Sequence, residues 1–145
     1  MSSSTKLNVD SSEVEVSPTL YRSVIGSLLY LTASRPDIAF SVGVYARYQA
    51  APKELHLTAV KRIIQYINGT LDYGLWYSKD SNACLVGYSD ADWAGSVDDR
   101  KSTSGGFFYL GNNLVSWMSK KQNSVFLSTA EAEYIAVGSC CTQLL

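Results

Sequence analysis

From Pro18 onward the apolar positions keep a helical step. Leu20, Val24, Leu28 and Leu31 fall four, four and three residues apart, which places them on one face of an α-helix. Arg35-Pro36 ends that run, because a proline drives the residue before it out of the helical region. Pro36 suits the first position of a second helix, with Asp37 in the first turn against the positive end of the dipole. Ile38, Val42, Tyr45 and Ala46 supply its stripe up to the break at Pro52. A third helix is predicted from Lys53 to Asn68, with Leu57, Val60, Ile64 and Ile67 on one side and Lys61, Arg62, Gln65 and Asn68 on the other. Asn68-Gly69 closes it, glycine being free to turn left-handed. His56, at the helix start, reads as a surface residue.

Beyond Gly69 the period changes. Tyr73 to Tyr77 reads as a short strand, Lys79-Asp80-Ser81-Asn82 as a turn, and Cys84 to Asp90 as a buried strand with a carboxylate at its far end. A polar loop, Asp92 to Lys101, leads to a strand at Thr103 to Leu110. Gly111-Asn112-Asn113 then makes a tight connection to a return strand at Leu114 to Met118. Extended structure resumes at Val125 to Leu127. Ser128-Thr129-Ala130-Glu131 is a capping box that opens a final helix carrying Ala132, Tyr134, Ile135, Ala136 and Val137. The predicted class is α/β: a polar lead-in over residues 1–17, disordered; a helical segment over 18–79; and a β-β-β-α unit over 80–145.

Composition narrows the function. Of 145 residues, 46% are hydrophobic and 17% charged, enough apolar material for a core, so disorder throughout is excluded. A formal net charge of −1 gives no global field to draw the chain onto a polyanion. Contact with nucleic acid has to come from local basic faces, and Lys61, Arg62, Lys120 and Lys121 are the candidates. The three cysteines, Cys84, Cys140 and Cys141, have no metal-ligand spacing and read as small buried hydrophobes of a reducing compartment. The longest apolar stretch, Val24 to Leu31, is broken by Gly26 and Ser27 and falls far short of the roughly 20 residues that span a bilayer. With no apolar signal-peptide core in residues 1–17, the expected location is intracellular, cytoplasmic or nuclear, away from membranes.

Two acidic pairs carry the candidate chemistry: Asp90 with Asp92, and Glu131 with Glu133. Carboxylate oxygens are what a hard Mg²⁺ ion prefers, and two-metal phosphoryl transfer needs several of them at one point. A strand-end aspartate beside a helix-borne glutamate is one way to achieve it. Within each pair the members should differ. Asp92 shares a direction with Asp90 only if the strand persists past Ala91, and the loop mouth is its expected place. Glu131, third in the helix, has a capping role reaching back to the cap residue. Glu133 lies about 200° further round the helix and has no such role. Asp90 and Glu133 are therefore the first choices, Asp92 and Glu131 the second. Trp93 beside them reads as aromatic core.

Longer stretches resemble a known family. The runs Tyr21 to Ala39 and His56 to Thr70 resemble the segment that follows the polymerase core in Pol polyproteins of copia-type LTR retrotransposons. Ser89 to Gly95, Asp98 to Gly106, Ser116 to Gln122 and Ser128 to Ala136 are similar to the opening of that family's RNase H domain. The resemblance covers nearly everything from Leu20 onward. It implies a partial ribonuclease H-like fold, preceded by a segment of the reverse transcriptase thumb or connection type. It implies cleavage of the RNA strand of an RNA–DNA hybrid by two Mg²⁺ ions held by four acids. Asp90 matches the first acid and Glu133 the second. Lys61-Arg62 resembles a thumb-type face beside a duplex.

The third and fourth acids of that family lie downstream of the helix begun at Ser128, and the given sequence stops before them. It also has no Tyr-x-Asp-Asp of a polymerase palm. Two carboxylates neutralise half the charge of two Mg²⁺ ions, so the expectation is a Pol fragment without independent turnover. The rival expectations are a hybrid nuclease completed in trans or by a longer gene product, and a non-catalytic module that holds nucleic acid or the remaining Pol polypeptide.

Overall fold

The computed structural model describes residues 14–79 and 82–145. The chain divides into two compact units, one ending at Gly74 and the other beginning at Leu75.

The first unit contains α1 (Pro18–Leu31), α2 (Pro36–Tyr45), a single 3₁₀ turn (Ala46–Tyr48) and α3 (Glu54–Asn68). Ser17 caps α1, and prolines stand at the first positions of α1 and α2, where a missing N–H costs nothing. The core is Tyr21, Ile25 and Leu28 from α1, Ile38, Val42 and Tyr45 from α2, and Ala59, Val60 and Ile63 from α3. In α1 and α3 the buried stripe is turned by about one position from the predicted one. Leu20 and Ile64 are exposed, while Tyr21 and Ile63 are inside. The cause is polar anchoring. The Tyr21 hydroxyl donates to the Tyr45 carbonyl at 2.9 Å, and burial pushes the phenol's pKa up. His56 is fully buried rather than on the surface: its Nδ1 accepts the Lys53 N–H at 3.0 Å and its ring stacks on Tyr48.

The end of the expected lead-in is ordered. Val16 N donates to Pro52 O and Glu54 N to Val14 O, so this short stretch pairs with the entry to α3; residues 1–13 lie outside the described residues. Gly69 is right-handed, φ −80° and ψ −4°, not left-handed. Thr70 tightens the helix end instead, its N–H on Ile67 O and its hydroxyl on Tyr66 O. Arg35, buried at 8% exposure, joins the α1–α2 turn to that end. It grips Asp37 through Nε and Nη2, and Thr70 through O and Oγ1.

The second unit contains β1 (Leu85–Asp92), β2 (Thr103–Leu110), β3 (Asn113–Lys121) and α4 (Thr129–Leu144). The strands form an antiparallel sheet in the order β1-β2-β3, with Asp90 opposite Gly105 and Phe107 opposite Trp117. Gly111, at φ 60°, makes the β2–β3 turn. No strand forms at Tyr73 to Tyr77 or at Val125 to Leu127. Asn113 instead holds the linker through a reciprocal pair with Ser78, Nδ2 to O and N to Oδ1. The two units meet at 74/75, and the turn expected at 79–82 includes Asp80 and Ser81, which lie outside the described residues.

α4 covers one face of the sheet. Gly106 lets it approach: a Cβ there would come within 2.9 Å of Cys140 Sγ. Phe108, Ala132, Ala136 and Cys140 are buried on that side, whereas Cys84 and Cys141 are exposed, against expectation. On the other face Tyr88 and Phe107 are exposed. Among the described residues no helix is long and apolar enough to cross a membrane.

Candidate functional site

β1 carries its acids at its far end, and the strand persists through Asp92. By alternation Asp90 and Asp92 share a face, against the expectation that Asp92 stands in the loop. Opposite Asp90 is Gly105, where an added Cβ would meet nothing nearer than Asp90 O at 3.9 Å. The neighbouring strand therefore leaves room beside the Asp90 carboxylate, which is exposed.

α4 brings the second carboxylate to the same strand. Glu133 Oε1 accepts the backbone N–H of Ala91 at 3.2 Å, which sets the Glu133 side chain beside the residue that follows Asp90. Glu131 is occupied at the helix start. Its N–H donates to Ser128 Oγ, and its Oε2 accepts from Leu127 N at 2.8 Å, one residue earlier than the capping box predicts. Asp92 is turned aside: its carboxylate lies over Gly95, where any Cβ would collide with it.

The loop after β1 is held in a strained form that residue types gave no sign of. Ala94 and Arg100 have φ of 50° and 55°, a region in which a Cβ crowds the backbone. Ala94 N donates to buried Ser102 Oγ, and Trp93 Nε1 to Phe126 O at 3.2 Å. Trp93 is thus a partly exposed strap rather than core. Asp99 ties the loop to β3 through Lys121 Nζ at 2.7 Å. That bond, with help from Ser96, draws the Asp99 carboxyl down to about 2.

The basic candidates occur in both units. Lys61 and Arg62 are exposed on α3, and Arg62 with Asp37, Ser41 and Tyr66 borders a groove of about 260 Å³. Lys120 is exposed on β3, while Lys121 is engaged by Asp99. Among the described residues no three His, Cys, Asp or Glu side chains gather as a metal-holding group. Asp90 and Glu133 fit a hard divalent cation in kind but fall short in number.

No family model and no solved structure matches the chain. Among curated proteins it is 42% identical over 144 residues to the retrovirus-related Pol polyprotein from transposon RE2 of Arabidopsis thaliana, covering 99% of the chain and 10% of that protein. It is 47% identical over 117 residues to the Pol polyprotein from transposon TNT 1-94 of Nicotiana tabacum, covering 80% of the chain and 9% of that protein. It is 48% identical over 118 residues to secreted RxLR effector protein 161 of Plasmopara viticola, covering 81% of the chain and 83% of that protein. The chain thus spans about a tenth of the length of the Pol polyproteins it matches, and most of the effector.

Proposed function

The chain belongs to the family of retrovirus-related Pol polyproteins of copia-type transposons, and we propose that its second unit is the opening β-β-β-α of a ribonuclease H-like domain. The first unit is then the helical segment that joins this domain to the polymerase core. The observation that carries the reading is the bond from Ala91 N to Glu133 Oε1, which supports a shared site for the strand-end acid and the helix acid. Asp90 and Glu133 are the residues that would hold Mg²⁺. When bound, the ion supplies an activated water and neutralises charge on the phosphoryl group under attack. The substrate class is the RNA strand of an RNA–DNA hybrid.

The residues here divide the work. Glu133, fixed by one oxygen on Ala91 N, would hold the cation through its carboxylate. Asp90, on the face of Tyr88 and Phe107 and unopposed across Gly105, would hold the cation from the strand, past the edge of β1. Glu131 holds the backbone at the start of α4, and the Asp92 carboxylate lies over Gly95. Two carboxylates offset half of the four positive charges on a Mg²⁺ pair, so these 145 residues cut hybrid only when further acids come from a longer Pol polypeptide. The test is a labelled RNA–DNA hybrid incubated in Mg²⁺ with the 145-residue chain and with a Pol polypeptide that contains it. No cleavage is expected from the first. The second should cleave and lose at least about a hundredfold in rate as Asp90→Asn or Glu133→Gln. Full activity in either variant overturns the reading.

A further inference from the structure

β1 is an outer strand of its sheet, with β2 on one side and no strand on the other among the described residues. Just before it, Cys84 O accepts from Gly111 N at 2.7 Å, in step with the β1–β2 register. In an antiparallel ladder, residues that bond the neighbouring strand alternate with residues that face away from it. Val86, Tyr88 and Asp90 therefore bond β2, while Leu85, Gly87, Ser89 and Ala91 turn their N–H and C=O groups outward. Ala91 agrees, since its N–H donates to Glu133. The N–H groups of Leu85, Gly87 and Ser89 have no backbone partner among the described residues. An edge strand is ordinarily guarded by a charge, a proline or a bulge. Leu85 to Ser89 has none of these, and its register on β2 is unbroken.

Both faces beside that edge are apolar. On the inner face Leu144 of α4 lies over Gly87, where an added Cβ would come within 2.9 Å of Leu144 Cδ1. With Glu133 at Ala91, α4 runs above Gly87 to Ala91 and leaves Leu85 beyond its end, 52% exposed. Val137 and Cys141 follow Glu133 at successive turns, each about 40° further round, so their flank looks out over the open edge. Both are exposed, and from Tyr134 to Leu144 the helix has no charged side chain. On the outer face Tyr88 is exposed beside half-buried Val86.

An occupant must therefore offer a strand edge with uncharged, apolar groups above and below it. A charged partner finds no counter-charge there. A second copy meets the demand with the same residues. A two-fold axis normal to the sheet sets β1 antiparallel to β1, which closes the assembly at two. With Gly87 opposite Gly87, Leu85 stands opposite Ser89 and Val86 opposite Tyr88. That register takes up all three outward N–H groups and leaves Ala91 to Glu133. Each Leu85 then comes beside the α4 flank of the second copy. Asp90 falls opposite Cys84, so no two carboxylates oppose each other. We infer that the chain forms this two-fold dimer, joining two three-stranded sheets into one of six strands.

The test is sedimentation equilibrium of the full chain in reducing buffer over a range of micromolar concentrations, with amide hydrogen exchange at both ends of the range. A species of twice the chain mass should grow with concentration. The Leu85, Gly87 and Ser89 amides should gain protection as it does. Leu85→Lys, at an exposed position, places a charge on the joint and should weaken association at least about tenfold. Ser89→Pro removes an outward N–H without touching the ladder to β2, and should weaken it at least as much. Should Ser89→Pro lose its fold by circular dichroism, Leu85→Lys decides. Phe107→Lys, on the outer face away from the edge, should leave association unchanged. A monomer at every concentration overturns the proposal, as does association that survives Leu85→Lys or a folded Ser89→Pro. Loss of the dimer in Phe107→Lys, or a dimer whose three edge amides exchange as in the monomer, overturns it as well.

Discussion

The helical unit and the sheet unit use similar amounts of chain and reach different degrees of closure. In the helical unit each of the three helices contributes to one core, and Tyr21, Ile25, Val42 and Val60 are wholly removed from solvent. In the sheet unit the inner side of three strands meets a single helix. Phe108 is 4% exposed there, while its neighbour Phe107, pointing the opposite way, is 44% exposed. The lesson is that a helix needs a partner for one stripe, whereas a sheet needs a partner for each apolar face. The proposed acids stand on the unit that is less enclosed.

Two core substitutions test that contrast most strongly. Ile25→Ala should cost the helical unit about 3 kcal/mol. Trp76, Trp93 and Trp117 all lie in the sheet unit, so far-UV circular dichroism should lose a helical transition while tryptophan emission keeps its midpoint. Parallel loss of both signals would show that the two units unfold as one. Within the sheet, Phe108→Ala should cost about 3 kcal/mol and Phe107→Ala about 0.5 kcal/mol or less, read from urea midpoints by tryptophan emission. Equal costs would mean that the second face is already covered in solution.

Arg35→Ala ranks next, at about 2 kcal/mol in the helical unit, because it leaves Asp37 and Thr70 without the guanidinium that joins them. Arg35→Lys should recover less than half of this, since an ammonium cannot reproduce the fork on Asp37. Its guanidinium, with the Tyr66 hydroxyl, holds the Asp37 carboxyl below the usual carboxylate range. In Arg35→Ala that titration should move up when followed by carboxyl NMR. Ala94→Gly works in the other direction. Removing the Cβ from a residue at φ 50° should stabilise the sheet unit by up to about 1 kcal/mol, read as a rise in its urea midpoint. Destabilisation there would mean that the loop is not strained.

The apolar period revealed four helices and three of the strands, because it records which side of an element leaves water. It misplaced the stripe of two helices because Tyr21 and His56 are buried through their polar atoms, and apolar counting omits such residues. Glu131 was legible as a capping residue, since that role depends on neighbours three or four positions away. The meeting of Glu133 with Ala91 joins residues 42 apart, and the helix pattern indicated only that Glu133 had no local role. The diversion of Asp92 onto Gly95 and the left-handed backbone of Ala94 and Arg100 arise from closing one particular loop. Short polar residues in sequence do not specify that geometry.

The smallest predicted effect lies in that same loop. Asp99 is partly exposed and bonded to Lys121 at 2.7 Å, with its carboxyl drawn to about 2. A carboxylate whose folded value is depressed stabilises the fold above its unfolded value, near 4, and that stabilisation is lost as pH falls toward 2. Solvent screening keeps it to about 0.5 kcal/mol. Between pH 4 and pH 2 the amides of Ser96 to Lys101 should gain hydrogen exchange before those of β2 do. Lys121→Ala should return the Asp99 titration toward 4 and remove most of the difference between pH 4 and pH 2. An Asp99 titration unchanged in Lys121→Ala would mean that Ser96 and the backbone N–H of Lys101, rather than the lysine, hold the carboxylate.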